Sequence, residues 1–374
     1  MRNMADTIAR LKALQRRLPS AGDPIPSSRL SPFGWDGSNP GALRAYTHVP
    51  ELLPERAPLV VVLHGCTQTA AGYDYGSGWS QLADRHGFAL LCPEQQRANN
   101  PNLCFNWFVP EDVRRDSGEA LSIAQMVQMM TEIHRLDRRR VFITGLSAGG
   151  AMACAMLATY PDLFAGGAII AGLPFRCASS VPEALDRMRG HGQPPVRSLE
   201  ALVRGASRHA GPWPTLSLWH GSADHTVAPG NMDAIIAQWR GIHGLLNAQP
   251  ERNSIGPHSR RLWRDEAGIA KIEAVSVAGM GHGTPLSRAD EIGNPGAFML
   301  DAGISSTRHI ARFWQLIGTG TELSHTIPSG NQRTEPASGS ADGASGPPFP
   351  QPSAPASGVG KVIEDALRVA GLMR

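Results

Sequence analysis

Short apolar runs, each closed by Gly, Pro or a polar cluster, recur along the chain from about residue 40: Leu59–Leu63, Phe88–Cys92, Val141–Thr144, Ala168–Ile170, Thr215–Trp219 and Ile272–Val277. Runs of this length, rich in Val, Ile and Leu, predict buried strands. Between them apolar residues return every three or four positions, which predicts helices over Glu119–Arg135, Gly149–Thr159 and Met232–Trp239. Asp116 with Glu119 three residues on gives the first of these a capping-box spacing. Strand, helix and strand in alternation predict an α/β fold with a mostly parallel central sheet and helices on both faces. In such a sheet the functional loops gather at the C-terminal ends of the strands.

The two ends of the chain follow other patterns. Met4, Ile8, Leu11, Leu14 and Leu18 form a helical stripe over residues 4–18, with Arg10, Lys12, Arg16 and Arg17 on the wetter side and Pro19 as the stop. This helix either packs on the main domain or serves as a basic surface anchor. After Gly318, residues 319–358 are Ser, Pro, Gly and Ala with almost no large apolar side chains, the composition of a disordered linker. Beyond it Val362, Ala366, Val369 and Met373 share one stripe of a short C-terminal helix. The expected organisation is an N-terminal helix and lead-in over 1–25, a catalytic domain over 26–318, the linker 319–358 and the helix 359–374. Both terminal helices are candidates for contact with a polymer surface.

Composition narrows the function classes. With 374 residues and 41% hydrophobic content the chain can bury a large core. Its net charge of +3 is small and spread along the sequence, which excludes nucleic acid as the expected partner. No run approaches the ~18 apolar residues of a transmembrane segment. The N-terminus also lacks the apolar run of a secretory signal, so the residues alone point to the cytoplasm unless a signal lies upstream. The five cysteines show no CxxC and no metal-ligand spacing, and neither a metal nor a cofactor is expected.

The chemistry centres on "VFITGLSAGG", where a predicted strand runs through Gly145-Leu-Ser-Ala-Gly149 into a predicted helix. A serine nucleophile must stand on a turn sharp enough to clear its hydroxyl from the backbone, and glycines two residues to either side remove the side chains that would collide there. The helix that follows turns free N–H groups and a positive dipole end toward a reacting carbonyl. With Ser147 as nucleophile, the acid and the base are expected after later strands, in that order. "TLSLWHGSADHTVAP" supplies Asp224, and "IEAVSVAGMGHGTPL" supplies a glycine-flanked His282. Asp265 is the alternative acid, and His225 is a poor base for the carboxylate beside it. The oxyanion donors are expected to be the backbone N–H groups of Cys66, in "LHGCTQT" where Gly65 lets a substrate approach, and of Ala148. His64, Phe105, Trp107 and Trp219 are the candidate substrate contacts, on loops or strand ends that also carry Phe108.

"LHGCTQT", "PEQ", "CFNWF", "GLSAGG", "WHGSADHTVAP", "GMGHGTP" and "AGISSTRHIARFW", in this order over residues 30–318, resemble the catalytic domain of the esterase, polyhydroxybutyrate depolymerase family, in the arrangement where the oxyanion loop precedes the serine. The resemblance implies an α/β-hydrolase that cleaves esters of short 3-hydroxyacids, polymeric or oligomeric, through an acyl-enzyme on Ser147 with His282 as base and Asp224 as its partner. It also implies an extracellular setting. Secreted members of this type carry a signal peptide and a polymer-binding domain beyond their linker, and neither is visible in this sequence. Cys66 and Cys104 lie in two of the motif loops and are candidates for a bridge. The alternatives are a general carboxylesterase, a feruloyl or acetyl esterase on small soluble esters, a serine peptidase and, from another class, a non-catalytic binder of polymer granules.

Overall fold

A computed structural model of the chain describes residues 28–318. The expected N-terminal helix, linker and C-terminal helix lie outside the described residues. Twelve strands occur among the described residues: β1 (Ser31–Pro32), β2 (Arg44–His48), β3 (Leu59–Leu63), β4 (Ala89–Glu94), β5 (Val141–Leu146), β6 (Gly166–Ile170), β7 (Thr215–Gly221), β8 (Glu251–Ile255), β9 (His258–Arg264), β10 (Ala270–Val277), β11 (Thr284–Leu286) and β12 (Met299–Asp301). The helices are α1 (Ala70–Ser77), α2 (Trp79–His86), α3 (Gly118–Ile133), α4 (Ala148–Thr159), α5 (Val181–Met188), α6 (Val196–Arg204), α7 (Gly230–Ile242) and α8 (Ser306–Phe313). Ten strands form one sheet in the order β1-β2-β4-β3-β5-β6-β7-β10-β9-β8, and β11 pairs with β12 apart from it.

The central strands β4-β3-β5-β6-β7-β10 are all parallel. Strands buried on both faces read as near-continuous apolar runs, and successive side chains go to opposite sides. Leu59, Val61 and Leu63 therefore pack with Met126, Met152 and Ile235 of α3, α4 and α7. Val60 and Val62 pack with Tyr73, Trp79 and Ile310 of α1, α2 and α8. Helices cover both faces, as the alternation predicts.

The antiparallel margins were not expected. β1 and β2 extend one end of the sheet, while β9 and β8 extend the other. Their sequences, such as "ERNSI" and "HSRRLWR", are too polar to signal buried strands. The capping box is corrected as well. The residue preceding α3 is Ser117, which makes no side-chain cap, and Asp116 lies outside the helix with φ of 63°. Glu119 is fully buried and accepts from Gln95 Nε2 and the Asn106 N–H instead of capping the helix.

Register brings the functional ends together. Ile170 pairs with Leu146 and with Trp219, and Val277 pairs with Gly221. Beyond these pairs the Ser147 N–H donates to the Ile170 carbonyl at 2.9 Å, Ala171 N–H to Trp219 at 2.8 Å, and Ser222 N–H to Val277 at 2.9 Å. The segments after β5, β6, β7 and β10 thus leave the sheet side by side on one edge.

Candidate active site

Ser147 joins β5 to α4 with φ 56° and ψ −117°, a left-handed backbone that a serine adopts only under strain. Two glycines permit it. A Cβ on Gly145 would collide with the Gly149 carbonyl, and one on Gly149 would lie 2.5 Å from the Leu63 carbonyl oxygen and closer still to that of His64. The second collision is with the end of β3, so Gly149 also sets how closely the serine turn approaches the loop carrying Cys66.

Asp224 follows β7 and is buried. Its Oδ1 accepts the N–H groups of Thr226 and Val227, both at 2.9 Å. Its Oδ2 lies 2.7 Å from His282 Nδ1. A carboxylate oxygen can only accept, so Nδ1 carries the proton, and the neutral ring presents an unprotonated Nε2 on its other side. Burial alone raises the Asp224 pKa, but hydrogen bonds and charge from His220 and His282 outweigh it and hold the carboxyl well below the usual range. Gly221 allows the two loops to meet, since any Cβ there would collide with the Met280 carbonyl. His282 is buried and meets the Phe298 ring edge-on at 6.2 Å.

Cys66 is bonded to Cys104 through a disulfide with a Cα–Cα distance of 4.2 Å. The turn around it is fixed by Gln68 Oε1, which accepts the Gly65 N–H at 2.8 Å, and by the Thr67 N–H, which donates to the Asn102 carbonyl at 2.7 Å. Among the described residues neither the Cys66 N–H nor the Ala148 N–H donates to a protein acceptor. Cys66, Ser147 and Ala148 line one groove, with about 710 Å³ of empty space that is partly open to solvent. Trp107 and Phe108 line it too, as do Val181, Leu185 and Met188 of α5 and the polar side chains of Thr67, Asn100 and Asn102. No side chain lining the groove is charged.

Of the candidate substrate contacts, Trp107 lines the groove and the others do not. Phe105 is fully buried in the core beneath it. Trp219 packs on the opposite face of the sheet, where its indole N–H donates to Ser217 Oγ. His64 is buried, with Nε2 accepting the Gln95 N–H at 3.1 Å and Nδ1 2.8 Å from the Gly65 carbonyl. It braces the loop carrying Cys66 from behind. Burial drives its pKa down to about 4 against the small upward pull of the Gly65 carbonyl, so the ring stays neutral. Asp265 caps the β9–β10 turn and pairs with Lys271 at 3.1 Å, and His225 is exposed.

Sequence reasoning missed the α5 wall and His220. The signal for α5 was present, because Val181, Leu185 and Met188 recur at helical spacing. His220 stands four residues before Asp224 at the end of an apolar strand, and its Nε2 lies 3.3 Å from Asp224 Oδ2. Glu119 was read as a cap, yet it ties the loop carrying Cys104 and Trp107 to α3. Burial and the neighbouring Asp112 charge push its pKa up to about 8, against the two N–H groups that favour its anion.

No helix among the described residues is long and apolar enough to cross a membrane. The chain is 44% identical over 286 residues to poly(3-hydroxyalkanoate) depolymerase C of Paucimonas lemoignei, covering 75% of this chain and 69% of that one. It is 30% identical to feruloyl esterase B of Talaromyces funiculosus, over 67% of this chain and 71% of the other. The solved acetyl xylan esterase from Aspergillus awamori superposes with a TM-score of 0.66 at 23% identity, covering 77% of this chain and 99% of that one, which establishes a shared α/β-hydrolase fold. A sequence model of the esterase, PHB depolymerase family matches residues 44–261. That match spans more than half of the chain and includes the Ser147 turn and Asp224, and with the 44% identity it establishes that the chain belongs to the esterase, PHB depolymerase family.

Proposed function

We propose that the chain hydrolyses carboxylic esters of short-chain 3-hydroxyacids, as polymer or oligomer, through an acyl-enzyme on Ser147. One observation carries the reading: a strained serine and two undonated N–H groups line the same uncharged groove, on the sheet edge where a buried carboxylate holds a histidine by Nδ1. In this reading His282 Nε2 takes the hydroxyl proton as Ser147 Oγ attacks the ester carbonyl, and Asp224 stabilises the imidazolium that forms. The N–H groups of Cys66 and Ala148 hold the tetrahedral oxyanion. The imidazolium then protonates the leaving alkoxide, and water repeats the sequence to release the acid. The apolar walls favour an uncharged aliphatic acyl chain, and the similarity to a named depolymerase supports a hydroxyalkanoate over an aryl ester.

The test measures release of 3-hydroxybutyrate from amorphous poly(3-hydroxybutyrate) beside cleavage of p-nitrophenyl butyrate, with Ser147→Ala as control. Release that Ser147→Ala abolishes is expected. Cleavage of the small ester alone would make this a carboxylesterase with another substrate. Turnover that survives Ser147→Ala would remove the nucleophile assignment, and failure of Ser147 to react with a fluorophosphonate would favour a non-catalytic role.

A further inference from the structure

His220 is a buried group of this edge that takes no part in the reaction proposed above. It is the penultimate residue of β7, is 1% exposed, and does not line the groove. Its Nε2 lies 2.8 Å from the Val227 carbonyl oxygen and 3.3 Å from Asp224 Oδ2. A carbonyl oxygen cannot donate, so Nε2 carries the proton and one N–H is shared between two acceptors. Asp224 Oδ2 is therefore approached by two imidazoles, His220 from its own strand and His282 from the loop after β10. These are the ionisable groups that bear on Asp224 among the described residues. Oδ1 is already fixed by the Thr226 and Val227 N–H groups, so His220 is the side chain that sets the lean of Oδ2 toward His282.

We propose that His220 is a positioning residue for ester hydrolysis: by binding the Val227 carbonyl and Asp224 Oδ2 at once, it locks the turn 224–227 and fixes the carboxylate oxygen that orients His282. This inference rests on the Ser147, His282 and Asp224 reading above. The shared N–H also takes up part of the Oδ2 charge. With it gone, Asp224 swings more freely and offers that charge undivided to a protonated His282. The first effect lowers kcat, and the second moves the acid limb of the kcat profile to higher pH.

The experiment compares His220→Phe, which keeps a planar ring without a donor, with His220→Gln, whose amide N–H reaches the same region. Rates on p-nitrophenyl butyrate are normalised to active sites counted with a fluorophosphonate, so unfolded protein does not enter. In His220→Phe kcat is expected to fall roughly tenfold, with KM unchanged and the acid limb raised by about half a pH unit. His220→Gln should recover most of both effects. A purely structural histidine would change the melting temperature and the count of sites but neither kcat per site nor the limb. The proposal is overturned if His220→Phe keeps its parent's kcat per site, if the limb stays in place, or if both variants lose equally. Ser147→Ala run in parallel separates the two levels: activity surviving there would sink the nucleophile reading itself.

Discussion

Reducing the Cys66–Cys104 bridge should weaken the fold considerably and slow the reaction only moderately. The bridge spans a sequence separation of 38 residues. Releasing a loop of that length gives the unfolded chain about 13 cal/mol/K of entropy, or about 4 kcal/mol at 25 °C. For a domain of this size that corresponds to a fall in melting temperature of about 6 °C. Catalysis has a second support. If Cys66 donates to the oxyanion, losing its N–H altogether would cost about 10²–10³ in kcat. After reduction, however, the Thr67 N–H still bonds the Asn102 carbonyl and Gln68 still holds the Gly65 N–H. The expected fall in kcat is therefore below about tenfold, equivalent to less than ~1.4 kcal/mol of transition-state stabilisation. The assay is p-nitrophenyl butyrate turnover and a thermal melt, each with and without a phosphine reductant, beside the Cys66→Ser, Cys104→Ser double variant. An unchanged melt would refute the loop argument. A hundredfold loss of kcat in a folded, reduced enzyme would show that the bridge, and not the Thr67–Asn102 hydrogen bond, places the Cys66 N–H.

Other perturbations follow from the same geometry. Gly149→Ala forces a methyl onto the carbonyls that end β3 and should cost about 3 kcal/mol along with most activity, while Gly230→Ala, with open space around it, should stay within about 0.5 kcal/mol by urea unfolding. Leu185→Ala strips apolar surface from the groove wall and is expected to raise KM for butyrate esters roughly tenfold with kcat retained. Glu119 has a folded pKa of about 8, above its unfolded value of 4.5, so its contribution is complete below pH 4.5 and is lost as pH rises toward 8. Between about pH 6.5 and 8 that loss amounts to about 2 kcal/mol, read as a falling urea midpoint, and Glu119→Gln, which cannot ionise, should flatten the slope. A midpoint equally pH-dependent in the variant would assign the slope to another group.

What was legible in the sequence was local. The six apolar runs became the six parallel strands because a strand buried on both faces is mostly apolar along its length, and the turn at Ser147 declared itself through two glycines that tolerate no Cβ. Asp224 and His282 drew notice because each follows such a strand, and in the structure His282 Nδ1 lies 2.7 Å from Asp224 Oδ2. What failed was decided by distant partners. Glu119 has the spacing of a cap, but its carboxyl is claimed by Gln95 and Asn106, and nothing in its neighbourhood announces them. Trp219 could have been placed by parity alone, since its neighbour Leu218 faces the α4 side and a residue one step on must face away. His220 gives no periodic signal, because its role depends on a turn that folds back four residues later.

The two margins of the sheet bear on what the molecule does in company. An exposed strand edge is a row of unpaired N–H and C=O groups ready to bind another chain. Here one margin is β1, two residues long, and its Pro32 has no N–H to offer. The other is β8, where Glu251, Arg252 and Asn253 stand exposed and Glu251 is paired with Arg264 on β9, so a second strand would have to strip water from charges to dock. Neither margin invites recruitment. Among the described residues, both margins therefore disfavour the addition of an eleventh strand from a neighbouring molecule.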